Sequence, residues 1–264
     1  MPKKSLDPHH GMRISSVTNK EIMSYIRDGD YQHPGEEEAI ELLFQKINKS
    51  PELLILDVGC GYGGTAAYIH DKQWGQVVGI DINEDVLNIA KNKHKTPIFI
   101  HADVNGVEQA IENEFKRKIN FDIIYLFNSF FLFHDHQLAL QKLAAVAKKN
   151  TKLLIFDYID YGQYANKAYI ENEKKLLPNT IISDEVITTF NESGWTVESL
   201  QNIDDLYIKW YTELVQKIDS AKAEIVEQYG NDVFNNFLAR YQHILTVLQN
   251  KLLGGVIIVA VPTA

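Results

Sequence analysis

No stretch narrows the possible folds as far as Leu53-Leu54-Ile55-Leu56-Asp57-Val58-Gly59-Cys60-Gly61-Tyr62-Gly63-Gly64. Consecutive apolar residues at 53–56 suit a parallel strand covered on both faces. The glycines that follow allow positive φ and let the backbone come close to another group. A buried strand entering such a turn opens a βα unit, and further units follow it. Strands are expected at 53–57, 77–81, 98–103, 121–127 and 153–158, with helices at 65–70, 86–92, 106–112 and 138–148. This alternation predicts a doubly wound parallel α/β sheet with helices on both faces. Ligands of such sheets bind outside the C-terminal strand ends, where the strand order reverses.

The flanks are organised differently. Residues 1 to about 20 are expected to be a flexible lead-in, and residues 1–34 an N-terminal extension or lid. A first helix begins near Asn19, and His33-Pro34-Gly35 interrupts the chain before an amphipathic helix at 36–47. The main domain then occupies 35–264. Beyond 158 the pattern predicts an aromatic-rich connection and a helix at 183–193, with Ser183 as its cap and Gly194 as its stop. A sixth strand follows at 195–200. A helical cap over about 203–253 comes next, ended by Gly254-Gly255, and a last strand at 256–261. The cap therefore sits between the last two strands.

The glycine spacing Gly59-x-Gly61-x-x-Gly64 also fits a dinucleotide-binding turn. Asp57 argues against that, because an anionic side chain there repels a pyrophosphate. It suits a ligand presenting a cation, as S-adenosylmethionine does through its amino group and sulfonium. Asp81, near the end of the second strand, is placed to accept bonds from both ribose hydroxyls. Asp103 closes the third strand. Together, Asp57-x-Gly59-x-Gly61-x-Gly63, Asp81 and Asp103 resemble the signature of class I S-adenosylmethionine-dependent methyltransferases. That resemblance implies a Rossmann-like sheet and S-adenosyl-L-methionine as cofactor. Asp57, Gly59, Cys60 and Gly61 would then hold its methionine end, Asp81 its ribose, and Ile82 its adenine face. Asp103 and Val104 would meet the adenine edge, with Asn128 on the same rim. Toward the C-terminus, Arg240-Tyr241 and Leu253-Gly254-Gly255-Val256 resemble small-molecule N-methyltransferases acting on glycine derivatives and phosphoethanolamine, as does His33-Pro34-Gly35. The rival readings are an NAD-binding oxidoreductase and a catalytically silent binder of the cofactor.

Composition bounds the partners. The chain has 264 residues and is 45% hydrophobic, enough for one α/β domain with a sizeable core or just enough for two small ones. Cys60 is the only cysteine, so neither an internal disulfide nor a cysteine-rich zinc site is expected. A net charge of −9 argues against a large nucleic-acid footprint. The basic run Lys116-Arg117-Lys118 reads as a solvated helix end. No apolar stretch approaches a membrane span, and the first residues lack the apolar core of a signal peptide, so a cytoplasmic location is expected. His9-His10 reads as part of the tail. No metal is expected, since His101 and Asp103 have no third ligand at suitable spacing.

Methyl transfer needs no universal catalytic residue, because the cofactor supplies the reactivity. The fourth strand, ending Phe127-Asn128-Ser129-Phe130, lacks the Asn/Asp-Pro-Pro-Tyr/Phe motif of enzymes that methylate base or glutamine amino groups. The acceptor is therefore expected to be a small molecule, with an amine or another modest nucleophile. Two readings stand for His134: a general base, or a residue at the start of a helix capped by Asp135. Two also stand for Asp157 with Tyr158, Tyr161 and Tyr164. They could form a cage for an amine or alkylammonium, or cover the edge of an ordinary core. Tyr25, Tyr31 and His33 are further candidates of that kind. The apolar stripe from Tyr207 to Leu248 reads mostly as packing.

Overall fold

A computed structural model describes residues 16–164 and 176–263. The strands are β1 (Leu54–Val58), β2 (Gln76–Asp81), β3 (Ile98–His101), β4 (Phe121–Phe127), β5 (Ala147–Asp160), β6 (Ile181–Ile182), β7 (Trp195–Asn202) and β8 (Leu253–Pro262). They form one sheet ordered β3-β2-β1-β4-β5-β8-β7, with the short β6 beside β5. Pairs from β3 through β5 are parallel, whereas β8 runs antiparallel to both β5 and β7. The order reverses between β1 and β4, so the expected binding crevice lies above those two strands.

Alternation along the strands builds two cores. On β4, Ile123, Tyr125 and Phe127 face one layer, while Ile124 and Leu126 face the other. The first layer is closed by α1 (Val17–Arg27), α2 (Glu36–Phe44), α3 (Gly64–Asp71) and α4 (Glu84–Lys93), and by the cap. The cap is α8 (Asp204–Ser220), α9 (Lys222–Tyr229) and α10 (Asn231–Gln249). The second layer packs under α5 (Val107–Phe115), α6 (His136–Ala145) and α7 (Val186–Glu192). Among the described residues, no helix is long and apolar enough to cross a membrane.

Several boundaries differ from the sequence expectation for identifiable reasons. The first helix begins at Val17, capped by the Ser16 hydroxyl, so the expected lead-in ends earlier; residues 1–15, with His9-His10, lie outside the described residues. Helix α6 ends at Ala145 instead of 148, because Thr151 starts the next strand early. Its hydroxyl donates to the Phe121 carbonyl at 2.6 Å and accepts from the Lys148 amide at 2.7 Å. Ser183 does not cap α7: residues Ser183–Glu185 form a 3-10 turn and the helix starts at Val186 without a side-chain cap.

Gly254-Gly255 does not end the cap. Lys251, at φ 55°, makes that turn, and both glycines lie inside β8. They are needed because α8 presses on the strand. A Cβ on Gly254 would lie 1.9 Å from Asp204 Oδ1, and one on Gly255 2.2 Å from the Tyr207 ring. The Gly255 amide donates to Asp204 Oδ1 at 2.9 Å, and the Ile203 amide donates to the Gly255 carbonyl at 2.8 Å. Replacement of Gly255 by alanine is therefore expected to lower unfolding stability by about 1–3 kcal/mol, the usual cost of overpacking. Urea denaturation checks this, and an unchanged midpoint would show that the cap docks more loosely.

Candidate functional site

The glycine turn is pinned from both sides. Gly59 and Cys60 donate their amides to the Ile80 carbonyl at 2.8 and 3.0 Å, which ties the turn to β2. From the β4 side, the Ser129 hydroxyl donates to the Val58 carbonyl at 2.6 Å. Gly59 has φ 83°, and a Cβ there would lie 2.6 Å from Ser129 Cβ, so glycine is required twice over. The Gly61 amide donates to Asp81 Oδ2 at 2.9 Å, and Asp81 Oδ1 accepts from the Asn83 amide. Asp81 thus orders the turn from the end of β2.

Asp57 lies beneath this turn, only 3% exposed, with Oδ2 buried and without a hydrogen-bond partner. Burial first, then the charge of Asp81, pushes its carboxyl up to about 7; the Tyr125 phenol opposes the shift. An orphaned acid oxygen under a backbone cradle fits a cationic ligand group, so these residues suit the cofactor implied by the sequence. Ile82, immediately after β2, is 65% exposed and presents an apolar face on the same rim. Such exposure of a large apolar residue at a crevice suits a flat ring. Asp103 has one oxygen engaged with the Asn105 amide at 2.7 Å, capping the 3-10 turn Val104–Gly106, and Val104 is packed into the second core. Asn128 takes φ 46° at the end of β4; its Oδ1 accepts from the Tyr207 hydroxyl at 3.3 Å, and its Nδ2 is buried and unpartnered. Cys60 is buried, and burial pushes its thiol well up, so it is an uncharged packing residue.

The catalytic candidates separate. Asp135 caps α6 through the Leu138 amide at 2.9 Å, as one reading expected. His134 beside it is exposed, while its neighbour His136 stacks on Phe130 and contacts the Phe130 carbonyl. Asp157 is fully buried, and the amides of Phe130, Phe131 and Tyr158 point at its oxygens. Burial raises it to about 7 against those donors. It fastens the 3-10 turn Phe130–Leu132 to β5, which takes it out of the amine cage. Tyr158 does face the cap: its hydroxyl meets that of Tyr211, and its ring packs edge-on against Tyr207 and Phe131. Tyr161 instead donates to Asp204 at the root of the cap, and Tyr164 is buried in the first core. His33 is buried and stacked on Phe127 at 4.2 Å. Its Nδ1 lies against the Pro34 carbonyl and so carries the proton, which leaves Nε2 to accept from Thr65. Burial and the Arg27 charge pull it down to about 3, so it stays neutral. Tyr25 and Tyr31 lie nearer the surface, and Tyr31 donates to Glu37.

Sequence reasoning missed Lys20 and Arg27. Lys20 reaches from α1 to the turn; a Cβ on Gly61 would lie 3.2 Å from its ammonium nitrogen. Burial lowers its pKa, and Asp81 opposes the shift. No local pattern marks either residue, because only the docking of α1 brings them to the sheet. Among the described residues, no group of three or more His, Cys, Asp or Glu side chains could hold a metal ion.

Two outcomes follow from the acids. Asp81→Ala is expected to weaken binding of S-adenosylhomocysteine by about 1.5–3 kcal/mol by calorimetry, the range for hydrogen bonds to a charged group. Unchanged affinity in a folded variant would remove Asp81 from the site. The affinity of wild type is expected to fall as pH drops through about 7, by at most about tenfold per pH unit. The sign follows from the free site: below about 7 Asp57 carries a proton, which must leave before the ligand's ammonium can pair with it. Asp57→Asn should flatten the profile, and calorimetry across pH 6 to 8 reads it.

Comparison with known proteins agrees with the fold. A family model described as a methyltransferase domain matches residues 56–155, from β1 into β5. The O-methyltransferase resE of Aspergillus sclerotiorum is 23% identical over 226 residues, covering 82% of this chain and 85% of that one. The phosphoethanolamine N-methyltransferase of Plasmodium falciparum is 27% identical over 139 residues, 52% of this chain and 51% of that one. Among solved structures, the Haemonchus contortus phosphoethanolamine N-methyltransferase 2, in complex with phosphomonomethylethanolamine and S-adenosylhomocysteine, superposes with a TM-score of 0.80 at 14% identity. The match covers 94% of this chain and 57% of that one. The cyclopropane synthase MmaA2 from Mycobacterium tuberculosis gives 0.78 at 12% identity, over 98% of this chain and all of the other.

Proposed function

We propose that this chain, which belongs to the S-adenosylmethionine-dependent methyltransferases, methylates a small molecule received between its sheet and its cap. When bound, S-adenosyl-L-methionine supplies an activated methyl group for in-line displacement. The chain's part is to bind, orient and exclude water. The observation that carries the reading is the buried Asp57, with its Oδ2 unpartnered, under a glycine turn held by strands on both sides. Asp57, Gly59, Cys60 and Gly61 would take the methionine end. Asp81 would take the ribose, Ile82 the adenine face, and Asp103 and Val104 its edge. Asn128, whose amide nitrogen is unpartnered, would close the rim toward the cap.

Of the sequence candidates for catalysis, Tyr158 is proposed to face the acceptor, since its hydroxyl looks into the cap. Asp157 is assigned the positioning of the turn that follows β4. His134, exposed before α6, is assigned no contact with the acceptor. Residues 16–34 are proposed to act as a lid, because α1 closes over the turn through Lys20. The acidic net charge and the cap that covers the crevice favour a small acceptor over nucleic acid, and a cytoplasmic site of action is proposed with it.

A methyl-transfer screen with isotopically labelled cofactor tests this against small amines, phenols, carboxylates, phosphate esters, tRNA and bulk protein. Label is expected in a small molecule. Label confined to RNA or protein would overturn the small-acceptor reading. Cofactor binding without transfer to anything would favour a silent binder, and calorimetric binding of NAD alone would favour the oxidoreductase.

A further inference from the structure

We propose that Lys20 receives the carboxylate of the cofactor's methionine end, so that this chain reads that zwitterion with a pair of opposite charges, Asp57 beneath the glycine turn for the ammonium and Lys20 above it for the carboxylate. The proposal rests on the methyltransferase reading and deepens it: the signature Asp57-x-Gly59-x-Gly61-x-Gly63 contains an acid for the ammonium and no cation for the carboxylate. Lys20 belongs to α1, which is fastened over the turn together with the chain that follows it. The Tyr62 hydroxyl donates to the Val17 carbonyl at 3.2 Å, one helical turn before Lys20. The Gln32 side-chain amide donates to the Lys20 carbonyl at 3.4 Å and to the Ser24 hydroxyl at 3.3 Å. Gly64 packs against the Asp30 backbone so closely that a Cβ there would lie 2.6 Å from the Asp30 carbonyl carbon. With α1 held in this way, the Lys20 side chain runs over Gly61. A Cβ on Gly61 would stand 3.2 Å from the Lys20 ammonium nitrogen and 3.5 Å from Gln32 Cγ. Gly61, at φ 56° and without a side chain, leaves the room that the ammonium uses.

The surroundings of this ammonium leave it a partner short. Burial lowers its pKa, so a desolvated counterion stabilises it more than one would in water. Asp81 is the acid whose charge acts on it, yet among the described residues no acid reaches ion-pair distance of its nitrogen. Asp81 is already committed: its Oδ2 accepts from the Gly61 amide and its Oδ1 from the Asn83 amide, both at 2.9 Å. Lys20 therefore keeps its N–H donors for a ligand. Asp57 and Lys20 also act on a common neighbour. The charges of Asp57, Asp81 and Lys20 all bear on the thiol of Cys60, the residue between Gly59 and Gly61. An unpartnered acid oxygen and an unpartnered ammonium thus lie within electrostatic reach of one residue of the turn. An α-amino acid carries both of its charges on a single carbon, so its two receptors have to stand near each other. The reverse assignment fails by sign, since Asp57 repels a carboxylate and Lys20 an ammonium. A pair of opposite charges also rejects a ligand that carries only one of them, because the second receptor is then left buried and unpaired. Lysine suits the task as a compact charge on a flexible stem.

Calorimetry on the full chain tests this with S-adenosylhomocysteine and its decarboxylated analogue, an adenosyl aminopropyl thioether that keeps the ammonium and lacks the carboxylate. Wild type is expected to bind the analogue about tenfold or more weakly than S-adenosylhomocysteine. Lys20→Met is expected to lose about tenfold or more on S-adenosylhomocysteine, and to bind the analogue at least as well as wild type does, because a cation facing its ammonium is gone. If Lys20→Met fails to fold, Lys20→Gln, which keeps a polar head without the charge, serves the same comparison. Equal affinity of wild type for the two probes would overturn the proposal and spare the methyltransferase reading. So would undiminished S-adenosylhomocysteine binding in the folded variant. Equal weakening of both probes in that variant would also overturn it, since that is the result expected of a lysine that only offsets the charges of Asp57 and Asp81. Wild type that binds neither probe would overturn both the proposal and the methyltransferase reading.

Discussion

Between β1 and α3 the backbone is pinned by groups from the strands on either side. The Ile80 carbonyl takes two amides of the turn, Asp81 takes a third, and Ser129 holds the Val58 carbonyl. Because the turn cannot relax, Asp57 cannot reach water, and its carboxyl remains in a dry pocket under backbone amides. Its raised pKa is a consequence of that burial. The same fastening recurs one strand over, where Asp157 gathers three amides and fixes the chain leaving β4. Both carboxylates are held near neutrality by burial, yet they differ in use: one has its oxygens occupied, the other keeps an oxygen open.

The cap packs over the neighbouring strand ends. Helix α8 approaches β8 so closely that neither Gly254 nor Gly255 has room for a side chain, and Asp204 accepts a strand amide. This brings Tyr207 and Tyr211 over the ends of β4 and β5, where Phe156, Tyr158 and Asn128 meet them. Helix α1 then closes the remaining side and adds Lys20 and Arg27.

The βα units, the parallel sheet that their alternation implies, and the acids at 57, 81 and 103 were all readable from local patterns, because each depends on residues close in sequence. What escaped the reading depends on distant contacts. Residues 147–152 continue the polar pattern of α6, and only the pairing of Phe121 with Ala147 and the buried Thr151 make them strand. Gly254-Gly255 has the composition of a helix stop, but its reason is the Tyr207 ring and Asp204 from α8. Tyr207 and Tyr211 fall on an amphipathic stripe, so periodicity alone makes them core; their hydroxyls gain meaning only from what α8 is laid against. Asp157 carried the opposite ambiguity: an acid beside tyrosines suggests a cage, and the amides that claim it come from Phe130 and Phe131 on another strand's exit.

The cap leaves the sheet at Asn202 and returns at Leu253, and Asn202 is itself paired with Val256 in the β7–β8 register. Its two ends are therefore neighbours across a single ladder, as the ends of a short hairpin would be. The insert can therefore change in length without altering the strand order, provided that Asp204 and Tyr207 keep their fit against Gly254 and Gly255. The fold thus separates two kinds of inheritance: a sheet rim whose spacing tolerates little change, and an insert whose side chains away from the strands are free to drift. Lineages sharing the first while diverging in the second would keep one chemistry and part company over what they modify.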